Sequence, residues 1–282
     1  MPATSANLGP GFDSFALALD LCNEVVLDTE GEPGVSWEGE GADELPTDGT
    51  DLVSRAIASV LRRHSAHPVP SYSLLGVNRI PLERGLGSSA AAAVAGTALA
   101  SALIGAGQVD VGSLSVAAAE LEGHPDNAAA AVYGGLTVVA DGYVHRVDVA
   151  PSVSPVVMIP ADVRMPTEQA RSVLPEIVPL ADAVANAAHA SLVVQALVSG
   201  DLELLRIALG GDRLHQAARL ALVPNVAEVF THIAHRSPVC LSGSGPSLLA
   251  FEGPDAPIEE PGEGWSILRS SVRPTGIEVL EG

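Results

Sequence analysis

The sequence predicts an α+β fold. Strand-like and helical runs are interspersed without the regular β–α alternation of a doubly wound sheet. A composition shift near Pro151–Pro155, toward a mainly helical stretch, divides the chain into an amino-terminal domain, 1–153, and a carboxy-terminal domain, 154–282. The 282 residues are 47% hydrophobic, enough for one large domain or two modest ones. Only 3% are aromatic, so Ala, Val and Leu must build the core.

In order along the chain, Leu17–Asp28 alternates as a strand entering a sheet. Asp28–Asp51 is acidic and rich in Gly and Pro, hence surface loop with one short strand near Val35–Glu38. Leu52–Arg63 has helical spacing with Asp51 as its cap, and Ser71–Ile80 reads as a strand. The run from Ala90 to Ile104 is rich in Ala and Leu and predicts a helix, with Ser88 and Ser89 as N-cap residues. Val111–Leu121 is a second alanine-rich helix, and Pro125–Ala131 begins a third after the turn at Gly123. Leu136–Ala140 and Val144–Val149 form a hairpin around Asp141-Gly142, and Pro155–Ile159 is a buried-type strand. Helices follow at Thr167–Leu174, Leu180–Val198, Leu202–Leu209, Asp212–Arg219 and Val226–His235. Val239–Leu241 and Leu248–Phe251 are strand-like, Asp255–Glu263 is an acidic loop, and Trp265–Val272 and Gly276–Leu280 close the chain as helix then strand.

Bulk properties narrow the function. The net charge of −20 argues against nucleic acid and against anionic membrane surfaces as partners. There is no lysine, so all 14 basic side chains are arginines, and any anionic substrate must be held by local Arg, His and backbone N–H groups against the global field. Cys22 and Cys240 are too few for a disulfide framework and sit in apolar surroundings, which reads as buried free thiols in a reducing cytoplasm. No basic and apolar leader opens the chain, and no repeat is present.

Five segments are polar or glycine-rich where a plain core would not need them. Pro81-Leu-Glu-Arg-Gly-Leu-Gly-Ser-Ser-Ala-Ala91 runs a glycine turn into a helix. Gly85 and Gly87 let backbone approach a ligand, and the helix start offers free N–H groups and a positive dipole end, which together suit a phosphate. The same run fits a plain core helix, and it matches the weak pattern G-x-G-x-x-A, but a Walker loop is excluded because its lysine is missing. In Pro2–Asp13, Asn7 and Asp13 bracket a tight turn, whose side chains can equally serve their own backbone. Glu120-Leu-Glu-Gly-His-Pro-Asp-Asn127 gathers carboxylates, an imidazole and an amide within eight residues, or caps a helix at Gly123. Thr167 and Arg171 share a helical face, and Arg219 lies in Asp212–Arg219. Arg171 and Arg219 suit a carboxylate through bidentate clamping, and each alone also suits a surface ion pair. Apart from these five, the loop Ser242-Gly-Ser-Gly-Pro-Ser247 fits a hairpin, a phosphate contact or a contact with the first glycine turn.

Taken together and in this order, P-A-T-S-A-N-L-G-P-G-F-D, P-x-x-R-G-L-G-S-S-A-A, E-G-H-P-D-N and S-G-S-G-P-S resemble the GHMP kinase superfamily, and within it the homoserine kinase family, over almost the whole chain. The resemblance implies an amino-terminal domain with a ribosomal-protein-like α/β fold and a ferredoxin-like carboxy-terminal domain. It implies ATP and Mg²⁺ as cofactors, L-homoserine as acceptor, a cytoplasmic location and a possible homodimer. It makes Pro81, Leu82, Glu83, Arg84, Gly85, Leu86, Gly87, Ser88, Ser89, Ala90 and Ala91 the triphosphate loop. Asn7, Asp13, His124, Asn127, Arg171 and Arg219 become acceptor-site residues, with Asp13 and Asn127 the catalytic candidates. Ser89 and one of Glu120 and Glu122 would bind the metal, and Thr167 would support that region. The short spacing to His124 leaves both glutamates in play. Two departures stand out: relatives carry a strand before P-A-T-S-A-N, and His189 stands where the resemblance leads one to expect Arg.

Overall fold

The structure, a computed structural model, describes residues 1–63, 70–105, 110–254 and 256–280. Asp255, at the head of the expected acidic loop, lies outside the described residues. The first half contains β1 (Pro2–Ala6), β2 (Phe15–Cys22), β3 (Glu24–Asp28), β4 (Gly34–Gly39), α1 (Leu52–Arg63), β5 (Ser73–Asn78), α2 (Ser88–Leu103), α3 (Val111–Glu122), α4 (Pro125–Tyr133), β6 (Leu136–Ala140) and β7 (Tyr143–Val147). The second contains β8 (Ser154–Pro160), α5 (Thr167–Ser172), α6 (Leu180–Ser199), α7 (Leu202–Leu209), α8 (Gln216–Leu220), α9 (Pro224–Ala234), β9 (Val239–Leu241), β10 (Leu248–Glu252) and β11 (Trp265–Arg269).

Three sheets result. One is antiparallel in the order β1-β2-β6-β7, a second runs β3-β5-β4 with β4 parallel to β5, and the third is antiparallel in the order β11-β8-β10-β9. In the third sheet the strands stand in the order 4-1-3-2, that of a ferredoxin-like sheet, with α5–α9 between its first and second strands. Helices α1, α3 and α4 pack around α2. That packing explains the alanines: Ala90, Ala91, Ala93, Ala95, Ala98 and Ala100 are buried, and small side chains let helix axes approach. The first strand of the third sheet starts at Ser154, beside the boundary placed at 153/154. A single apolar cluster nevertheless crosses that point, joining Leu17, Leu86 and Leu136 to Val157, Leu197 and Leu249.

Several sequence expectations change. The expected strand Leu17–Asp28 is two strands in different sheets. Asn23 breaks it: its buried Oδ1 accepts from the Arg79 and Ile80 N–H groups, and its Nδ2 donates to Asn78. Trp265–Arg269 is a strand rather than a helix, because it pairs antiparallel with β8. Gly276–Leu280 pairs with no strand among the described residues, and Gly276 packs on the backbone of Val132 instead. The Asp212 helix begins only at Gln216, since the Asp212 carboxylate accepts the N–H groups of Leu214, His215 and Gln216 in a local turn. Cys240 is buried with its thiol pushed up to about 12 by desolvation, whereas Cys22 is only half-buried. Pro2–Ala6, to which the sequence reading assigned no strand, is an edge strand. Its outer edge is covered, since Thr4 N–H donates to the Leu86 carbonyl (3.0 Å) and Ala6 carbonyl accepts from Gly243 N–H (3.1 Å).

Among the described residues only α6 has the length and mean hydropathy of a membrane span. It carries Asp182, Asn186 and His189, and it packs Val193, Ala196 and Leu197 into the shared core.

Candidate active site

Around the covered edge of β1 three loops converge. The Gly87 φ of +69° is left-handed, and a Cβ there would come within 2.0 Å of Thr4 Oγ1. A Cβ on Gly85 would meet the Ser242 carbonyl at 2.0 Å, so the serine–glycine loop seats against the first glycine turn. Ser242 Oγ fixes this contact by donating to the Gly85 carbonyl (2.7 Å). Gly87 is the N-cap of α2, not Ser88 or Ser89, which occupy the first two helical positions. The Ser89 hydroxyl is turned away from capping and donates to Glu122 at 2.5 Å.

The convergence leaves a cleft of about 410 Å³. Residues 81 and 83–89, Asn7, Asp13, Glu122, His124, Asp126, Asn127, Thr167, Arg171 and Arg219 all line it. The wall thus unites the glycine turn with both guanidiniums. Leu82 faces a neighbouring cavity, and Ala90 and Ala91 are fully buried in α2. Glu120 is absent from the wall and pairs with Arg63 at 2.7 Å.

The individual side chains differ in how much capacity they retain. Asn7 is mostly committed: its Nδ2 donates to the Gly243 carbonyl and its Oδ1 accepts from the Asp13 N–H. It therefore sets the left-handed Asp13 backbone (φ 53°). Asp13 pairs with Arg171 at 2.6 Å. Among the described residues Arg171 Nε is buried with no partner, a donor awaiting an acceptor. Arg219 donates through Nε to the Ala170 carbonyl and through Nη1 to the Gly243 carbonyl and to His215. Its Nη2 has no protein acceptor among the described residues. Burial, helped by Arg171, lowers the Arg219 pKa to about 10, so it stays charged at neutral pH. Asn127 Oδ1 accepts from the Thr4 hydroxyl, leaving its Nδ2 for the cleft.

Five acids, Asp13, Glu83, Glu122, Asp126 and Glu168, line the cleft. Burial raises the pKa of Asp126 to about 6, with the Asp13 carboxylate adding to the rise and Arg171 opposing it. Burial likewise raises that of Glu122, against the Ser89 hydrogen bond.

A family model described as GHMP kinases N terminal domain matches residues 51–135. A curated homoserine kinase of Clavibacter michiganensis subsp. michiganensis is 44% identical over 264 residues, which cover 89% of this chain and 81% of that one. The chain belongs to the homoserine kinase family. A homoserine kinase of Moorella thermoacetica is 39% identical over 285 residues, covering 99% and 95% of the two chains. The crystal structure of homoserine kinase from Cytophaga hutchinsonii superposes with a TM-score of 0.82 at 28% identity, covering 98% of this chain and 94% of its own.

Sequence reasoning about this homoserine kinase family member missed several parts of the site. Phe12 lies 5.8 Å and 5.3 Å from the Arg171 and Arg219 guanidiniums, a shared aromatic face that nothing in the local pattern flags. Arg84 anchors the glycine turn by donating to the Ala161 carbonyl. His189 stays out of the cleft wall and packs on Gly211, where a Cβ would be 2.0 Å from its ring. Across Glu83, Ser88 and Ser89 lies a second cavity of about 440 Å³, lined by Trp37, Asp51, Asn78 and Arg164 among others. Among the described residues Asp51 Oδ2 is buried there without a partner, while Oδ1 accepts the expected cap bond from Ser54 N–H.

Proposed function

We propose that this chain transfers the γ-phosphoryl group of ATP to the side-chain hydroxyl of L-homoserine, giving ADP and O-phospho-L-homoserine. The single observation carrying the reading is that Arg171 and Arg219 share one cleft with the glycine turn and the α2 N-terminus. Backbone N–H groups at the start of a 16-residue helix suit a polyphosphate. Two guanidiniums across from them suit a carboxylate. Asp13 supplies the anion that an α-ammonium group needs, which favours homoserine over mevalonate, an acid without an amine. The second cavity, reached across Ser88 and Ser89, takes the nucleobase.

The oxygen donors fit magnesium. Ser89 Oγ and the Glu122 carboxylate are hard ligands already in contact, and among the described residues no cluster of three His, Cys, Asp or Glu occurs. Two protein oxygens suffice where substrate phosphates complete the shell. When bound there, magnesium supplies neutralisation of phosphate charge. Glu120, held by Arg63 outside the cleft, is the weaker of the two glutamate candidates.

In this reading the homoserine carboxylate takes the place of Asp13 on Arg171, and Asp13 turns to the ammonium group. Asn127 Nδ2 and His124 flank the acceptor hydroxyl. The hydroxyl oxygen forms the new bond to the γ-phosphorus as the bond to the β–γ bridging oxygen breaks. Positioning rather than a strong base drives a loose transition state, and the hydroxyl proton leaves to solvent. The test is ADP release from MgATP with L-homoserine or mevalonate as acceptor. Turnover with L-homoserine alone is expected, and equal or greater turnover with mevalonate overturns the reading.

A further inference from the structure

Behind the cleft wall, His215 is 1% exposed and touches no open space. Its Nε2 lies 2.9 Å from the Gly9 carbonyl oxygen, which can only accept. Its Nδ1 lies 3.1 Å from Arg219 Nη1, which can only donate. One tautomer alone satisfies both partners: neutral imidazole with its proton on Nε2. An imidazolium would set N–H against N–H and positive charge beside positive charge. Burial also drives the His215 pKa down to about 4, and Arg219 acts in the same direction. Asp212, whose Oδ1 is 3.7 Å from Nε2, and Asp13 oppose them. The ring stacks on Phe12 at 5.1 Å, and Phe12 is the face beneath both guanidiniums.

We propose that His215 is a positioning residue for the acceptor's carboxylate. As an uncharged acceptor it orients the Arg219 guanidinium and ties it to the Gly9 turn that leads into Phe12 and Asp13. The choice of an uncharged group matters. A carboxylate at 215 would orient Arg219 equally well but would spend its charge, whereas imidazole leaves the full positive charge for the ligand. The inference rests on the kinase reading above.

The test uses the full chain with MgATP and two acceptors, L-homoserine and 2-amino-1,4-butanediol, in which a hydroxymethyl group replaces the carboxylate. His215→Gln keeps a donor for Gly9 and removes the acceptor for Arg219, whereas His215→Asn keeps an acceptor near the Nδ1 position. His215→Gln is expected to raise the KM for L-homoserine by about tenfold or more, with kcat, the KM for ATP and kcat/KM for the diol each within about threefold. His215→Asn is expected to lose no more than about threefold on L-homoserine. The same loss on both acceptors, or in both variants, overturns the inference. Absence of turnover by the unaltered chain on L-homoserine overturns the kinase reading instead. A nitrogen NMR spectrum of the unaltered chain guards against variants that fail to fold. It should show the Nε2–H tautomer of His215 throughout pH 5.5–8, and an imidazolium at pH 5.5 overturns the proposal on its own.

Discussion

Arg219 is 2% exposed and still charged, an arrangement tolerated only because three acceptors surround it. Charge-assisted hydrogen bonds are worth about 1.5–3 kcal/mol, so Arg219→Ala should raise the KM for L-homoserine by roughly 10- to 150-fold. Steady-state kinetics at fixed MgATP measure it, and an unchanged KM would remove the residue from the acceptor site. Asp126 makes a second prediction at this scale. Its folded pKa of about 6 lies above the ordinary 3.8, so the folded chain binds that proton more tightly than the unfolded chain does. Ionising it costs stability: the cost is absent below about pH 3.8, grows up to about pH 6 and is complete above. The rise corresponds to at most about 3 kcal/mol. Asp126→Asn should therefore be more stable than the unaltered chain at pH 7.5 and no more stable at pH 3.5 in urea unfolding. Without a dedicated base, Asp126→Asn should also keep kcat within about tenfold, and a collapse of kcat at normal substrate binding would make Asp126 the base.

At the level of the elements, the glycine turn is fixed by neighbours far away in sequence. Gly87→Ala meets both a left-handed backbone and Thr4 Oγ1 at 2.0 Å, and about 1–3 kcal/mol of strain is expected. ATP affinity should fall with it by at least about tenfold, because the Ser88 and Ser89 N–H groups shift together. Gly105→Ala is the control: its φ is +67°, but among the described residues nothing lies within 4 Å, so strain without lost nucleotide affinity should follow in calorimetric titration. This contrast also shows what the sequence made legible. The alanine-rich helices, the Asp51 cap and the Asp141-Gly142 hairpin rest on local chemistry, and all three stand in the structure. The break at Asn23 and the strand at Trp265–Arg269 depend on partners 55 or more residues away, which no local period reports. The candidate site divides the same way. Glycines and paired motifs flag its loops, but the Phe12 face, the His215 tie and the committed state of Asn7 arise only when the loops meet.

Across the whole molecule, the charge of −20 sets a field that opposes any polyphosphate approaching the cleft. The three arginines at the cleft, Arg84, Arg171 and Arg219, act only over short range. Salt screens the far charges first, since the Debye length falls from about 30 Å at 0.01 M to about 8 Å at 0.15 M. The association rate of a fluorescent ATP analogue should therefore rise with added salt over that range in stopped-flow mixing. A steady fall would mean that the local arginines dominate at distance.

The covered flank of β1 carries a last consequence. The Thr4 amide is shielded by the very turn assigned to phosphate, and the Gly243 amide is shielded by that same strand. Ligand occupancy and opening of the β1 edge are then coupled equilibria. Saturating nucleotide should retard deuterium uptake at both amides together, and a nucleotide-starved cell would hold a chain that frays from its leading strand.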